Sequence, residues 1–191
     1  FCQKNKIIIL IDEVYQGLGS TSVDNFTKKY SNLIVIRSFS KAFGLPGLRI
    51  GYSLTSNKFA HEIETFRLAI ELPQICIDDS LKFLSLNRKK IKKHIYQIIS
   101  ARMFAHSEFK KRNIFSYGHY GNSVTFYCKN NVVVKNLGNF LLKNNVIVNY
   151  SYSKPFDQFI NITTTNKMNL KYFFKILDRF KNIKKNRILI K

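Results

Sequence analysis

The sequence predicts an α/β protein, and three observations carry that prediction. An unalternating β-branched run, IIILI at residues 7–11, stops abruptly at Asp12-Glu13. A second apolar run at 33–36 follows after enough chain for a helical crossover, and ends in Arg37-Ser38. Beyond Gly118 and Gly121, strand-like and helix-like patterns alternate toward the end of the chain. Runs of the first kind suit strands buried on both faces of a parallel sheet. Strand, crossover, strand is the parallel βαβ signature.

Each element follows in order. After the first strand comes a loop with Gly17, Gly19, Ser20 and Ser22, then a short helical stretch at 23–30. The second strand leads into a turn-rich segment, 38–47, and a third short strand at 48–54. Apolar Phe59, Ile63 and Phe66 predict a helix over 57–68, continuing into Ala69-Ile70 and ended by Pro73. Residues 78–112 hold neither Gly nor Pro, and Ile91, Ile95, Ile98-Ile99 and Met103 recur at helical spacing. One or two long amphipathic helices are expected there. A strand (123–127), a helix (134–143), two strands (146–150 and 159–164) and a final helix (170–181) then read as a small α+β layer. The organisation expected is therefore a first domain over 1–112 and a smaller α+β domain over 113–191.

Composition bounds the function classes. At 191 residues, 45% hydrophobic and 23% charged, the chain is an ordinary globular one. A chain of this length buries roughly 70% of its unfolded surface. No apolar run approaches the roughly 20 residues needed to span a bilayer, so no membrane partner is expected. The net charge of +21 comes from 24 Lys and 8 Arg spread along the chain among many Asn and Ile. Only 87–94 (NRKKIKKH) and 181–191 (KNIKKNRILIK) are clustered, and no zinc-finger, RNP-type or basic-zipper pattern accompanies them. A solvated face or compositional drift explains them better than a nucleic-acid surface. Cys2, Cys76 and Cys128 are far apart and read as reduced thiols of a cytoplasmic protein. His61, His94, His106 and His119 show no ligand spacing, so no metal is expected. The opening, Phe1-Cys2-Gln3-Lys4, has no initiator methionine and no secretory signature, and reads as the tail of a longer polypeptide.

Chemistry concentrates where the first two strands end, since ligands of open α/β sheets bind at the carboxyl ends of strands. The first edge offers Asp12-Glu13-Val14-Tyr15; the second offers Ser38-Phe39-Ser40-Lys41-Ala42-Phe43-Gly44-Leu45-Pro46-Gly47-Leu48-Arg49. A cofactor with a basic ring nitrogen, an aldehyde and a phosphate needs a carboxylate, a lysine, hydroxyls and a guanidinium. All are present between Asp12 and Arg49. Taken singly, Asp12 is a strand-end cap, Tyr15 a packing aromatic, Ser38 and Ser40 turn formers, and Lys41 and Arg49 surface charges. Their fixed order, with eight positions between Lys41 and Arg49, favours the joint reading.

These residues also carry a resemblance. D-E-x-Y followed by S-F-S-K-A-F-G-L-P-G-L-R-I-G-Y resembles the pyridoxal-phosphate site of fold-type-I, class I/II aminotransferases, in their histidinol-phosphate aminotransferase-like branch. The resemblance implies the C-terminal part of the PLP-dependent transferase fold: the end of a mixed, mostly parallel large-domain sheet, an interdomain helix, and the small domain. It implies that Lys41 condenses with the cofactor aldehyde and moves the proton, Asp12 holds the pyridinium, and Tyr15 meets the phenolic oxygen. Ser38, Ser40 and Arg49 would bind the phosphate. It further implies an amine or amino acid and a 2-oxo acid as substrates, and a homodimer at full length.

Two departures qualify what the resemblance implies. The family has a long segment before the strand bearing Asp12, supplying a glycine-bearing loop and a ring-stacking aromatic. Where it places a carboxylate-gripping arginine in an R-I-T motif, the chain has Phe159-Ile160-Asn161-Ile162-Thr163. Asn161 is neutral, and losing such a charged partner costs about 2–5 kcal/mol. Asn122, in G-N-S-V, matches a small-domain asparagine of the family. Three alternatives to amino transfer stay open: decarboxylation of an amino acid phosphate, an inactive remnant, and a basic binding module.

Overall fold

The computed structural model describes residues 1–68 and 72–183. The helical continuation into Ala69-Ile70 and most of the second basic cluster lie outside the described residues. The chain forms two units, Phe1–Ile95 and Tyr96–Lys191.

The first unit is built on a three-stranded sheet of β1 (Ile9–Asp12), β2 (Leu33–Ser38) and β3 (Gly51–Leu54), in that order. β1 and β2 are parallel, with Ile9 beside Leu33 and Asp12 beside Ile36. β3 returns antiparallel to β2, with Ser38 opposite Gly51. The sheet is mixed, as expected, but β1 is not buried on both faces. Ile8 and Leu10 are 56% and 59% exposed, whereas Leu33 and Val35 of β2 are buried. β1 is the outer strand of this sheet, and its alternating burial shows one face covered.

The crossover between β1 and β2 also differs from expectation. In place of an α-helix over 23–30 it carries one 3-10 turn, Asp24–Lys28. Asp, Asn and Thr are weak helix formers because their side chains bond locally to the backbone. Here the Thr27 hydroxyl donates to the Asp24 carbonyl at 2.7 Å. Likewise the third strand starts at Gly51 rather than at 48, because Pro46–Leu48 form a 3-10 turn and Arg49 is left-handed.

Three helices follow. α1 (Asn57–Glu64) is capped by Ser56, whose hydroxyl accepts from the Phe59 N–H at 3.4 Å. α2 (Gln74–Leu86) begins directly after Pro73, earlier than its apolar pattern suggested, since proline's fixed φ suits the entry to a helix. It ends at Asn87, whose side-chain amide donates to the Phe83 carbonyl at 3.1 Å. α3 (Arg88–Lys111) then runs from the first unit into the second. Its start, from Arg88 to His94, carries the first basic cluster, with every residue exposed except the buried Ile91.

The second unit pairs an antiparallel sheet with helices. β4 (Ser116–Tyr117), β5 (Ser123–Tyr127) and β6 (Phe159–Thr163) lie in that order, with α4 (Asn131–Lys143) and α5 (Lys167–Asn182) completing the layer. Val124 and Phe126 alternate inward from β5, and Ile160 and Ile162 from β6. Period-2 burial on the strands meets helical spacing on α4 (Val133, Val134, Leu137, Leu141) and α5 (Leu170, Phe173, Phe174, Leu177). At the centre Phe109 of α3 stacks on Phe126 at 4.7 Å and meets Phe174 edge-on at 4.9 Å. Both helices start earlier than periodicity placed them, because Asn130 and Asn166 cap them by accepting from Val133 and Asn169 N–H groups.

Residues 146–150 do not form the expected strand. They make one isolated bridge, Asn149 to Asn161. The chain then turns so that the Tyr150 ring packs onto α4 at Gly138, where an added Cβ would lie 2.7 Å from the ring. β4 is too short for period-2 patterning to announce. Among the described residues no helix is long and apolar enough to cross a membrane.

Two outcomes follow from this packing. Phe109→Ala removes the central ring of a closed aromatic cluster, and a denaturant melt should show a loss of about 3–5 kcal/mol. Burial also pushes the Cys128 thiol up to about 12, whereas Cys2 and Cys76 are partly exposed. At pH 8 a thiol reagent should therefore modify Cys2 and Cys76 in the native protein and Cys128 only after unfolding.

Candidate active site

Parallel pairing sets the carboxyl ends of β1 and β2 at one edge of the sheet. Asp12, the last residue of β1, accepts the Val14 N–H on Oδ1 at 2.9 Å. This Asx turn bends the chain sharply past the strand and carries Tyr15 over the edge. On the neighbouring strand, Ser38 ends β2 and accepts the Ser40 N–H on its hydroxyl at 3.0 Å. The next turn is closed by Gly44 N–H to the Lys41 carbonyl (3.1 Å) and Leu45 N–H to the Phe39 carbonyl (3.0 Å).

The two turns meet. Lys41 Nζ stands 5.2 Å from the centroid of the Tyr15 ring, a cation over an aromatic face. Behind it, Ala42 is buried and packs beneath Gly17, where an added Cβ would lie 3.3 Å from the Ala42 methyl. Gly17 has φ +91°, a conformation costly for any side chain, so glycine lets the two loops close on each other. Residues 29 positions apart in sequence, Asp12 and Lys41, thus lie on adjoining turns.

Arg49 is reached from the third strand. Ser38 pairs with Gly51, and the Phe39 N–H donates to the Ile50 carbonyl at 3.1 Å. Arg49 lies two residues before Gly51, at the end of the 3-10 turn that follows the Lys41 turn. Arg49 is left-handed at φ 55°, and its Nη1 donates to the Pro46 carbonyl at 3.0 Å with the side chain exposed. A non-glycine residue in this region stores about 1–3 kcal/mol of strain, a feature of ligand clamps.

A second layer lies under this edge, and the sequence reading passed over it. Glu13, only 8% exposed, accepts the Val23 N–H on Oε1 at 2.7 Å and the Ser22 hydroxyl on Oε2 at 2.9 Å. Arg37 donates to Glu13 Oε2 from Nε (3.1 Å) and Nη2 (3.0 Å). The same Nη2 donates to Ser22 Oγ (2.6 Å) and to Asp24 Oδ2 (2.9 Å). Burial works to lower the Arg37 pKa, but neighbouring Tyr52, Asp24 and Glu13 outweigh it and hold the guanidinium firmly protonated. The bond to Arg37 holds the Asp24 carboxyl below its usual range. One signal was available: an acid and a base directly after the apolar runs of two adjacent strands.

The remaining candidates belong to the second unit. Asn161 faces away from its core, and its Nδ2 donates to Thr125 Oγ1 on the paired strand at 2.8 Å. The Asn122 carbonyl accepts the Thr164 N–H at 2.7 Å. His106 is held between Ser116 Oγ (2.9 Å) and the Gly118 carbonyl (3.1 Å), with His119 stacked on it. Among the described residues no group of three or more His, Cys, Asp or Glu is placed to hold a metal ion.

Gly51 is the point at which this edge tolerates no side chain, since an added Cβ would lie 2.8 Å from the Arg37 carbonyl oxygen. Gly51→Ala should force β3 away from β2 beside Ser38 and cost about 1–3 kcal/mol in a denaturant melt.

Comparison with known proteins bears on the whole chain. The family described as aminotransferase class I and II matches residues 1–176. The histidinol-phosphate aminotransferase of Ruminiclostridium cellulolyticum is 32% identical over 106 residues, covering 56% of this chain and 29% of that protein. The structure of the Clostridium acetobutylicum histidinol-phosphate aminotransferase superposes with a TM-score of 0.77 at 21% identity, over 95% of this chain and 56% of its own. That of the Sinorhizobium meliloti histidinol-phosphate aminotransferase, in complex with pyridoxal-5'-phosphate, gives 0.77 at 20% identity, over 91% and 49%. The chain spans about half the length of these solved structures and under a third of the curated relative. Its α/β fold matches part of theirs.

Proposed function

The chain belongs to the class I and II aminotransferases, histidinol-phosphate aminotransferase-like, and from that membership we propose that it carries the cofactor-attaching lysine of a pyridoxal-phosphate-dependent aminotransferase. The reaction is transfer of an amino group between an amine or amino acid, phosphorylated or not, and a 2-oxo acid. The observation that carries this reading is the contact of Lys41 with Tyr15 at the strand edge that also bears Asp12. In this reading residues 1–112 are the end of the cofactor-binding large domain with an interdomain helix, and 113–191 the small domain. The complete protein is a cytoplasmic homodimer.

The donor set fits the cofactor's chemistry: one carboxylate, one amine beside a phenol, two hydroxyls bridged by one turn, and one exposed guanidinium just before β3. Pyridoxal phosphate supplies, when bound, a ring that accepts electrons from the carbon next to the substrate nitrogen. Lys41 would hold the cofactor through Nζ and, with its amine free, would serve as the base that takes and returns a proton. Asp12, its Oδ1 already oriented by the Val14 N–H, keeps a proton on the ring nitrogen. Tyr15, its ring centroid 5.2 Å from Lys41 Nζ, would hydrogen-bond the cofactor's phenolic oxygen. Ser38 and Ser40 donate hydroxyls to the phosphate, and Arg49 offers it a planar fork of which one nitrogen is already fixed to Pro46. Asn122 and Asn161 enter as neutral substrate contacts, with Asn161 presenting no cation to a carboxylate.

Borohydride reduction of the natural polypeptide with pyridoxal phosphate, followed by peptide mapping, tests this. The expected label is on Lys41. Lys41→Ala should abolish it and lower turnover by about 10²- to 10⁴-fold. A label on another lysine, or none, refutes the assignment. Carbon dioxide released without a keto-acid product would replace amino transfer by decarboxylation.

A further inference from the structure

We propose that Glu13 and Arg37 are positioning residues of the cofactor site: their ion pair, completed by Ser22 and Asp24, locks the turn bearing Asp12 and Tyr15 to the turn bearing Ser38, Ser40 and Lys41. The proposal rests on the reading of that edge as the pyridoxal-phosphate site.

Adjacency comes first. Glu13 directly follows Asp12, and Arg37 directly precedes Ser38. Any displacement of either buried side chain therefore moves a cofactor-facing neighbour by nearly the same amount. Both side chains are almost fully enclosed, at 6% and 11% exposure, so neither is offered to a ligand. They act through what they hold.

What they hold is a loop with no regular structure before its 3-10 turn. Residues 13–23 leave β1, carry Tyr15 and Gly17, and return to the sheet, where Glu13 Oε1 receives the Val23 N–H. The carboxylate thus closes its own loop, and Arg37 fastens the closure to β2 through Nε and Nη2. One nitrogen, Nη2, serves Glu13, Ser22 and Asp24 together, which fixes the guanidinium plane. An ammonium on a flexible stem carries the same charge without that fork.

Energetics favours a geometric role. A buried ion pair is weak evidence for stability, because desolvation offsets much of its attraction. Its attested benefit is a unique arrangement, and a reacting group displaced by about 1 Å can cost on the order of 10²-fold. Tyr52 sits opposite Arg37 on β3, in the strand that follows Arg49.

The test uses the natural polypeptide loaded with pyridoxal phosphate and two shape-conserving variants, Arg37→Lys and Glu13→Gln. Three quantities are read: the dissociation constant for pyridoxal phosphate, the pH midpoint of the bound cofactor's absorption, and the melting temperature without cofactor. Positioning predicts, for both variants, at least tenfold weaker cofactor binding and a displaced optical midpoint, with amide exchange at Val23 accelerated. The label at Lys41 should persist. Wild-type dissociation constant and midpoint in whichever variant folds, with or without a lower melting temperature, overturn the inference and leave the cofactor reading standing. A wild-type protein that takes no label at Lys41 overturns both.

Discussion

The parallel pairing of β1 and β2 is the constraint on which the chemistry depends. Parallel neighbours end at the same edge, so the residue that terminates each strand faces the same solvent. Asp12 beside Ile36, with Ser38 two steps further on, follows from four register pairs and nothing else. An antiparallel pairing of the same two segments would have sent the acid and the lysine to opposite ends of the sheet. Every other device at this edge refines a coincidence that strand direction has already arranged. The Asx turn at Asp12, the serine turn at Ser38 and the close approach at Gly17 shape the two turns that meet there.

Beneath that edge lies an ion pair that is almost fully enclosed, Glu13 with Arg37. The first unit buries Leu18, Leu33, Val35, Ala42 and Ile50, while β1 keeps much of its apolar surface exposed. Glu13 and Arg37 tie the loop and both strands with directional bonds, which specify positions more tightly than a handful of aliphatic contacts would. The second unit is organised differently. Its aromatic cluster around Phe109 draws on α3, β5 and α5 at once. At its surface, Arg112 joins α3 to α5 by donating to both carboxylate oxygens of Asp178, at 2.8 and 2.7 Å.

The family assignment and the site argument rest on different kinds of observation, and they meet at Lys41. Membership follows from a match over 1–176. The roles proposed for individual residues rest on the strand edge, where an amine, a phenol and a carboxylate are brought to adjoining turns. Asn161 stands apart from this convergence. Its amide is tied to Thr125 across the sheet, so the position offers a hydrogen-bonding surface without charge. That arrangement is internally satisfied and needs no anion to complete it.

Sequence alone located the polar groups that follow the first two strands, at Asp12, Tyr15, Ser38, Ser40, Lys41 and Arg49, because groups following an apolar run are local features of the chain. It also determined most helices, since a 3.6-residue period survives in α3, α4 and α5 whatever packs against them. Tertiary structure alone decided what depends on partners distant in sequence. The Glu13–Arg37–Asp24 lock joins residues up to 24 positions apart, and no periodicity signals such a pairing. Burial of β1 on one face, the 3-10 turn at Asp24–Lys28 and the loss of a strand at 146–150 were equally hidden. At 146–150 a contact overruled the pattern, the Tyr150 ring seated on Gly138, whereas at Asp24–Lys28 the weak helix propensity of Asp, Asn and Thr prevailed over the expected helix. A pattern records what a segment prefers, whereas the fold records which neighbour it meets.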